Sequence, residues 1–163
     1  MKEFKRIIGL PGLSNLGVIV EDKIFRAAQP EGYQGYRCLK EHLDVRYVLN
    51  LRRHSDRELA VSQGLLYINH PLNVWDNISI REMDEIVDTL EEVRLYPIIL
   101  CCRKGQDRTG VVAACYRIRV QGWTTEEAEE EMQSYGYNDL WFMLSASLRK
   151  YVAEYRASLI CAT

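Results

Sequence analysis

This sequence has few of the features that mark specialised classes of protein. It contains only 4 prolines and no repeated or low-complexity segment, which excludes collagen-like and disordered chains. No apolar run approaches the roughly 20 residues that a membrane span needs. The formal net charge of −2 provides no general attraction to nucleic acid or to an anionic membrane. We therefore expect one soluble domain over residues 1–163, with no nucleic-acid partner and no stable membrane insertion.

The cysteines and histidines also lack a pattern. The 5 cysteines are odd in number and irregularly spaced, which argues against the disulfide framework of a small secreted protein. No pair of cysteines has zinc-finger spacing, and the 3 histidines stand apart from one another. The first residues contain no apolar core long enough for a signal peptide. These observations predict a reduced protein located in the cytoplasm.

The hydrophobic pattern alternates between strands and helices. Short apolar runs bounded by turn residues predict strands, and apolar residues recurring at intervals of three and four predict helices. The predicted elements are, in order, a hairpin at 16–26, a helix at 36–42, a strand at 45–51, a helix at 57–63, a strand at 65–71, a helix at 79–95, a strand at 98–102, and helices at 109–121, from 125 and at 139–157. This order predicts an α/β fold with a central, mostly parallel sheet flanked by helices. Such sheets bind ligands beyond the carboxyl ends of their strands.

The stretch LCCRKGQDRTG, at positions 100–110, lies at such a strand end. Five residues separate Cys102 from Arg108, enough to curl into a cradle of inward-pointing backbone N–H groups at a helix N-terminus. Arg108 can grip two oxygens of a phosphate with its planar fork. A thiol above such a cradle is expected to ionise at neutral pH, and its thiolate can attack phosphorus. Cys102 and Arg108 are therefore candidate catalytic residues.

Two further residues of this stretch support that chemistry. Gly105 allows the loop to turn where a side chain would collide. The hydroxyl of Thr109 is expected to donate a hydrogen bond to the Cys102 sulfur and to stabilise it as a leaving group. The stretch is not a Walker nucleotide loop, because no Gly-Lys-Ser/Thr follows a spaced glycine.

The remaining loop residues are Arg103, Lys104, Gln106 and Asp107, which complete the predicted set of phosphate contacts. Arg103 and Lys104 are expected on the rim, where they either attract a multiply charged substrate or are ordinary surface charge. A second basic pair at 52–53, after a predicted strand, could line the same mouth.

The motif Cys-x-x-Gly-x-x-Arg-Thr-Gly at 102–110 resembles the signature of the protein tyrosine phosphatase superfamily, particularly its small single-domain dual-specificity branch. A looser likeness extends over 25–30 and 48–52. The resemblance implies a monomeric phosphatase domain that needs no metal or other cofactor. It implies a cysteinyl-phosphate intermediate and protein substrates phosphorylated on tyrosine, serine or threonine. An inositol phosphate or phosphoinositide is the alternative substrate, although members that take inositol lipids often carry a basic residue where Gln106 stands.

One position departs from the family pattern. The family usually has a histidine before the nucleophile, where it orders the loop by hydrogen bonds, and this chain has Cys101. Only Cys102 has the required interval to Arg108. Cys101 is expected to point to the opposite face of its strand as a buried, small hydrophobic residue. The departure keeps open a second reading, a phosphate-binding module without turnover.

The resemblance also implies a general acid on a loop before the helix that precedes the signature strand. That loop is 73–77, and Asp76 is its only acidic residue, with Trp75 as a possible anchor. Asp107 is the alternative acid. A rhodanese or an arsenate reductase would also hold a cysteine in an anion cradle, but the Thr-Gly pair at 109–110 and the upstream acid loop argue against both.

Overall fold

The computed structural model of the chain describes residues 3–73, 78–137, 146, 149–154 and 157. Its elements are β1 (Gly17–Val20), β2 (Ile24–Ala28), α1 (Gly32–Leu43), β3 (Tyr47–Asn50), α2 (Arg57–Ser62), β4 (Leu66–Asn69), α3 (Ile80–Glu91), a 3-10 turn (Val93–Leu95), β5 (Ile98–Cys102), α4 (Asp107–Gln121) and α5 (Thr125–Ser134). Residues 149–154 are also helical. Among the described helices, none has the length and hydropathy that crossing a bilayer requires.

Within the described part of the chain, five strands form one sheet in the order β1-β2-β5-β3-β4. The central strand β5 pairs in parallel with β2 on one side and with β3 on the other, and β4 continues in parallel beyond β3. Only β1 is antiparallel, because it forms a hairpin with β2. Every residue of β5 is buried, as expected for a strand covered on both faces. The predicted α/β fold with a mostly parallel sheet is confirmed.

Helices cover both faces of the sheet and create two apolar clusters. The larger cluster packs α3 and α4 against one face and contains Cys102. The smaller cluster packs α1 and α2 against the other face and contains Cys101. Neighbouring residues of a strand point to opposite faces, so the two thiols lie in different layers of the protein. The expectation for Cys101 is confirmed.

Helix starts follow the capping residues in the sequence. Ser79 caps α3, because its hydroxyl accepts the backbone N–H of Glu82 at 3.2 Å. Thr124 caps α5 in a reciprocal arrangement with Glu127. The threonine hydroxyl accepts the glutamate N–H at 3.2 Å, and the glutamate carboxylate accepts the threonine N–H at 2.9 Å.

Three predicted helix boundaries are wrong. Helix α1 begins at Gly32 instead of 36, two residues after Pro30, since proline suits the extended segment before a helix but not the helix interior. Helix α4 begins at Asp107 instead of Thr109, where a carboxylate in the first turn favours the helix dipole. Helix α3 ends at Glu91, and a 3-10 turn replaces its predicted last turn. The predicted helix at 139–157 lies largely outside the described residues.

A buried ionic network joins α5 to α4 and the sheet. Glu131 in α5 is fully buried, and Arg117 in α4 donates to its two oxygens at 3.1 and 2.6 Å. Arg117 also donates to the carbonyls of Val18 and Ile19 in β1, at 3.0 and 2.6 Å. The guanidinium of Arg26 in β2 lies 3.9 Å from the same carboxylate. The glutamate therefore balances two buried cations.

Candidate active site

The predicted phosphate loop connects β5 to α4. Cys102 is the last residue of β5, and α4 begins at Asp107, so residues 103–106 form the connection. The start of α4 brings unpaired backbone N–H groups and the positive end of the helix dipole to this loop. The strand, the loop and the helix N-terminus therefore have the arrangement that an anion site requires.

Two side chains hold the carbonyl groups of this loop. Asn15, in the segment before β1, donates from Nδ2 to the carbonyl of Lys104 at 3.0 Å and to that of Gly105 at 3.2 Å. The same amide donates to the carbonyl of Tyr135, just after α5, at 3.0 Å. Arg26 in β2 donates from Nη2 to the Gly105 carbonyl at 3.1 Å. These bonds tie the loop to the sheet and to α5.

Gly105 is in direct contact with the backbone of β2. Its φ is +65°, and a Cβ at this position would lie 2.5 Å from the carbonyl carbon of Ala27 and 2.5 Å from the amide nitrogen of Ala28. The backbone N–H of Gln29 donates to the carbonyl of Cys102 at 2.8 Å. The loop thus rests on the end of β2, and only glycine fits at its contact point. The sequence-based role of Gly105 is supported by both its dihedral angle and its surroundings.

A cleft of about 310 Å³ opens beside the loop, at the carboxyl ends of the parallel strands. It is lined by Arg52, Arg53, His54, Leu72, Asn73, Arg103 and Arg108. Arg108 is half-buried and donates from Nη1 to the carbonyl of Leu51 at 3.3 Å, which holds its side chain between α4 and the end of β3. The structure therefore brings the pair at 52–53 to the same mouth as Arg103 and Arg108, as expected.

A buried asparagine shapes the turn that carries this second basic pair. Asn50, at the end of β3, donates from Nδ2 to the carbonyls of Arg52 and His54 at 3.1 and 2.9 Å. Its Oδ1 accepts the backbone N–H of Arg52 at 3.2 Å, and Nδ2 also donates to Oδ1 of Asn69 at 2.6 Å. These bonds from one amide hold the backbone of the turn after β3, the turn that carries Arg52 and Arg53.

Cys101 lies against a polar cluster on the other face of β5. Gln29 donates from Nε2 to the hydroxyl of Tyr36 and, at 2.8 Å, to Asp56 Oδ2. The hydroxyl of Tyr67 accepts the backbone N–H of Asp56 at 3.2 Å. Burial, above all, and then the charges of Cys102 and Asp56 raise the pKa of the Cys101 thiol. Cys101 is therefore a protonated, buried thiol.

The expected hydrogen bond of Thr109 does not match the geometry. Its hydroxyl is fully buried but makes no hydrogen bond, so the predicted bond to the Cys102 sulfur is not formed. Gln106 stays a predicted phosphate contact through its backbone N–H. The side chain of Gln106 lies against the turn after α5, with Nε2 2.7 Å from where a Cβ of Gly136 would sit. Gln106 is not among the residues that line the cleft.

The remaining predicted residues are placed as follows. Arg103 and Lys104 are both exposed on the rim, but only Arg103 lines the cleft. Asp107 is the half-buried first residue of α4. Asp76, the preferred general acid, lies outside the described residues. Which carboxyl group protonates the leaving oxygen therefore stays a prediction.

Sequence reasoning missed Asn15, Arg26 and Asn50 as residues of this site. Arg26 carried a usable signal, because an arginine inside the otherwise apolar strand segment IFRAA has to be buried beside a specific partner. Asn50 likewise ends an apolar run, at the carboxyl end of a predicted strand. Asn15 carried no signal, since an asparagine in a loop is most often a turn residue.

Comparison with known proteins agrees with the motif. The chain matches the Tyrosine phosphatase family over residues 14–159 and therefore belongs to it. The dual specificity protein phosphatase TpbA of Pseudomonas aeruginosa is 31% identical over 117 residues, which cover 71% of this chain and 52% of that protein. The chain thus spans about half the length of this curated relative.

The fold is shared with solved phosphatase structures. The crystal structure of P. aeruginosa TpbA superposes with a TM-score of 0.81 at 28% identity and covers 96% of both chains. A variant of the same protein, crystallised in complex with pTyr, gives a TM-score of 0.80 at 27% identity and the same coverage. The catalytic domain of the PP-IP phosphatase SIW14 from S. cerevisiae has a TM-score of 0.70 at 18% identity, covers 88% of this chain and 98% of that one, and shows the fold alone.

Replacing Gly105 by alanine tests the contact between the loop and β2. We expect Gly105→Ala to lower kcat/KM for p-nitrophenyl phosphate by about 100-fold or more, because the added methyl must displace the loop from the backbone of β2. Gly122→Ala is the matched control. Gly122 has a φ of +67° but open space around its Cβ position, so this variant should lose about 1 kcal/mol of stability and keep its activity. Equal activity losses in the two variants would contradict the role of the contact.

Proposed function

We propose that this chain is a cysteine-dependent phosphomonoester phosphatase that acts on phosphorylated proteins. The observation that carries the proposal is the position of Cys102, at the end of β5 and directly before a glycine-containing loop whose carbonyls are held by Asn15 and Arg26. Such a loop leaves backbone N–H groups for the oxygens of a phosphate. Arg108, in the first turn of α4 on the other side of the loop, lines the cleft.

The proposed reaction has two displacements at phosphorus. The Cys102 thiolate attacks, a sulfur–phosphorus bond forms, and the ester oxygen leaves with a proton from the general acid. Water then attacks the cysteinyl phosphate and gives up a proton to the same carboxylate. Inorganic phosphate is released and the thiolate is restored. Arg108 and the loop N–H groups bind the equatorial oxygens in both transition states.

The high pKa of Cys101 supports Cys102 as the nucleophile. A thiol attacks only as thiolate, and Cys101 is kept protonated by its burial on the far face of β5. The two cysteines are neighbours in sequence, but only one reaches the side of the sheet from which α4 begins. The proposal therefore assigns Cys101 a packing role.

The relatives support a protein substrate. TpbA is named a dual specificity protein phosphatase, and one of its crystal structures is in complex with pTyr. A small phosphorylated metabolite would also fit the same cradle, so the substrate class is part of the proposal. Location in the cytoplasm, the monomeric state and the absence of a cofactor stay predictions.

The four arginines around the cleft favour a second candidate substrate, an inositol phosphate or phosphoinositide. One phosphate monoester needs only Arg108 and the loop, whereas Arg52, Arg53 and Arg103 add three positive charges at the mouth. The basic pair lies in a turn whose backbone Asn50 holds at the edge of the cleft. A substrate with several anionic groups would use them, and a phosphopeptide with acidic neighbours would do so in part.

The first prediction from the proposed mechanism concerns the nucleophile. Cys102→Ser should abolish phosphate release from p-nitrophenyl phosphate, phosphotyrosine and phosphoserine peptides and inositol polyphosphates, because a serine hydroxyl is not ionised at neutral pH. It should keep measurable affinity for phosphate. Cys101→Ala is the matched control and should retain most of the activity. Release that persists in Cys102→Ser would contradict the mechanism, and wild-type protein that binds vanadate but releases nothing would indicate a non-catalytic phosphate-binding module.

The second prediction separates the two candidate acids. Removing a general acid should lower kcat by about 100-fold for a poor leaving group such as phenol, and much less for p-nitrophenol, which leaves without a proton. We expect this dependence on the leaving group in Asp76→Asn and not in Asp107→Asn. The measurement is kcat for phenyl phosphate and p-nitrophenyl phosphate with each variant. The opposite pattern would assign the acid to Asp107.

The third prediction concerns the basic mouth. The double variant Arg52→Gln, Arg53→Gln should raise KM for a substrate with several phosphates about tenfold and leave KM for p-nitrophenyl phosphate nearly unchanged. The effect should weaken with added salt. Arg37→Gln with Arg94→Gln removes the same net charge and is the control, because Arg37 lies within α1 and Arg94 lies before β5, at the opposite end of the sheet. An equal change for both substrates would contradict a subsite for additional anionic groups.

A further inference from the structure

We infer that Asn15 and Arg26 are positioning residues that hold the phosphate loop from behind and direct its backbone N–H groups toward the phosphate site. The inference rests on the proposed function for its kinetic consequences. The hydrogen bonds themselves join the side chains to the carbonyls of Lys104 and Gly105. Neither residue is expected to contact substrate.

The planarity of the peptide bond turns these contacts into a positioning device. In a trans peptide the C=O and the following N–H point in opposite directions. Holding the carbonyl of Lys104 therefore directs the N–H of Gly105 away from Asn15. Holding the carbonyl of Gly105 in the same way directs the N–H of Gln106 away from Asn15 and Arg26. These two N–H groups are then available on the side of the loop that is not occupied by β2.

The burial of Arg26 points to this role. Its side chain is fully buried, yet its Nε and Nη1 make no hydrogen bond, and its clear donor contact is with the loop carbonyl. Burial lowers the pKa of Arg26, and the nearby Glu131 opposes that effect. A buried cation with so few partners contributes little to stability, because desolvation offsets most of its attraction to the carboxylate. The hydrogen bond to the Gly105 carbonyl therefore gives this buried arginine a role in holding the loop.

The anchor behind both residues is Tyr135. The guanidinium carbon of Arg26 lies 3.8 Å from the centre of this ring, and that of Arg6 lies 4.3 Å from it. Both guanidinium groups are therefore within cation–π distance of the tyrosine ring. The carbonyl of Tyr135 accepts from Asn15. The N-terminal segment, β2 and the end of α5 thus converge behind the loop.

Cys101 gives the loop no comparable support. Its thiol is a weak donor and lies in the layer of α1 and α2. Among the described residues, the side chains that donate to the carbonyls at 104 and 105 are those of Asn15 and Arg26.

The test compares variants that share burial or charge but differ in contact with the loop. Asn15→Asp keeps the shape, tolerates the φ of +51° at this site and turns a donor toward carbonyl oxygens into an acceptor. Arg26→Lys keeps the positive charge but removes the guanidinium group that donates to the Gly105 carbonyl. Arg117→Lys is the matched control, because Arg117 binds the same Glu131 but donates to β1 and not to the loop.

Each variant is assayed for thermal stability, for kcat and KM with p-nitrophenyl phosphate, for vanadate affinity and for the rate of Cys102 alkylation by iodoacetate. We expect Asn15→Asp and Arg26→Lys to lose about tenfold or more in kcat and in vanadate affinity, and to alkylate more slowly at neutral pH, because the loop N–H groups are misdirected. Arg117→Lys should lose stability and keep the other three values when assayed well below its melting temperature.

Two outcomes decide the inference. If Asn15→Asp and Arg26→Lys lose stability but keep kcat, vanadate affinity and alkylation rate, as Arg117→Lys should, their role is structural and the inference is wrong. If the wild-type protein releases no phosphate at all, the proposed function fails. The inference then still stands or falls on vanadate affinity and alkylation. Asn15 lies in a half-buried surface segment, so its variant remains informative even if Arg26→Lys does not fold.

Discussion

The contact between Gly105 and the end of β2 is the constraint on which the rest of the site depends. The distance from a hypothetical Cβ to the backbone of Ala27 and Ala28 leaves no room for even a methyl group, so the loop sits directly on the sheet. The connection from β5 to α4 has only four residues, 103–106, and its height above the sheet therefore sets where the helix starts. Once the loop is seated there, Cys102 and Arg108 are brought to opposite ends of the same short turn.

Charge in this protein is organised locally. The chain as a whole has a formal net charge of −2, yet four arginines converge on one cleft of about 310 Å³. They come from two separate strand ends and a helix start, and Asn50 fixes the turn of one of these groups. The buried carboxylate of Glu131 balances Arg26 and Arg117 inside the protein and is not available to the cleft. A positive site in a weakly acidic protein follows from this separation.

Cys101 and Cys102 show how one residue type acquires two environments. They are adjacent in the strand, so the alternation of side chains sends one to the layer of α1 and α2 and the other to the layer of α3 and α4. The first becomes a protonated thiol whose pKa burial and the charges of Cys102 and Asp56 raise, and the second stands at the start of the phosphate loop. Phosphate chemistry, as we propose it, requires only the second environment.

Local sequence determined much of this protein. Periodicity and caps predicted the order of strands and helices, and the interval from Cys102 to Arg108 predicted the cradle, because both depend on residues close together in the chain. Contacts between distant segments decided the rest. Asn15, Arg26 and Tyr135 meet behind the loop only after the hairpin and α5 have packed, and the buried hydroxyl of Thr109 lacks the bond to sulfur that its position in the motif predicted. Spacing along a chain encodes local geometry, whereas the partners of a buried arginine or a loop carbonyl are chosen by the packing of the whole domain.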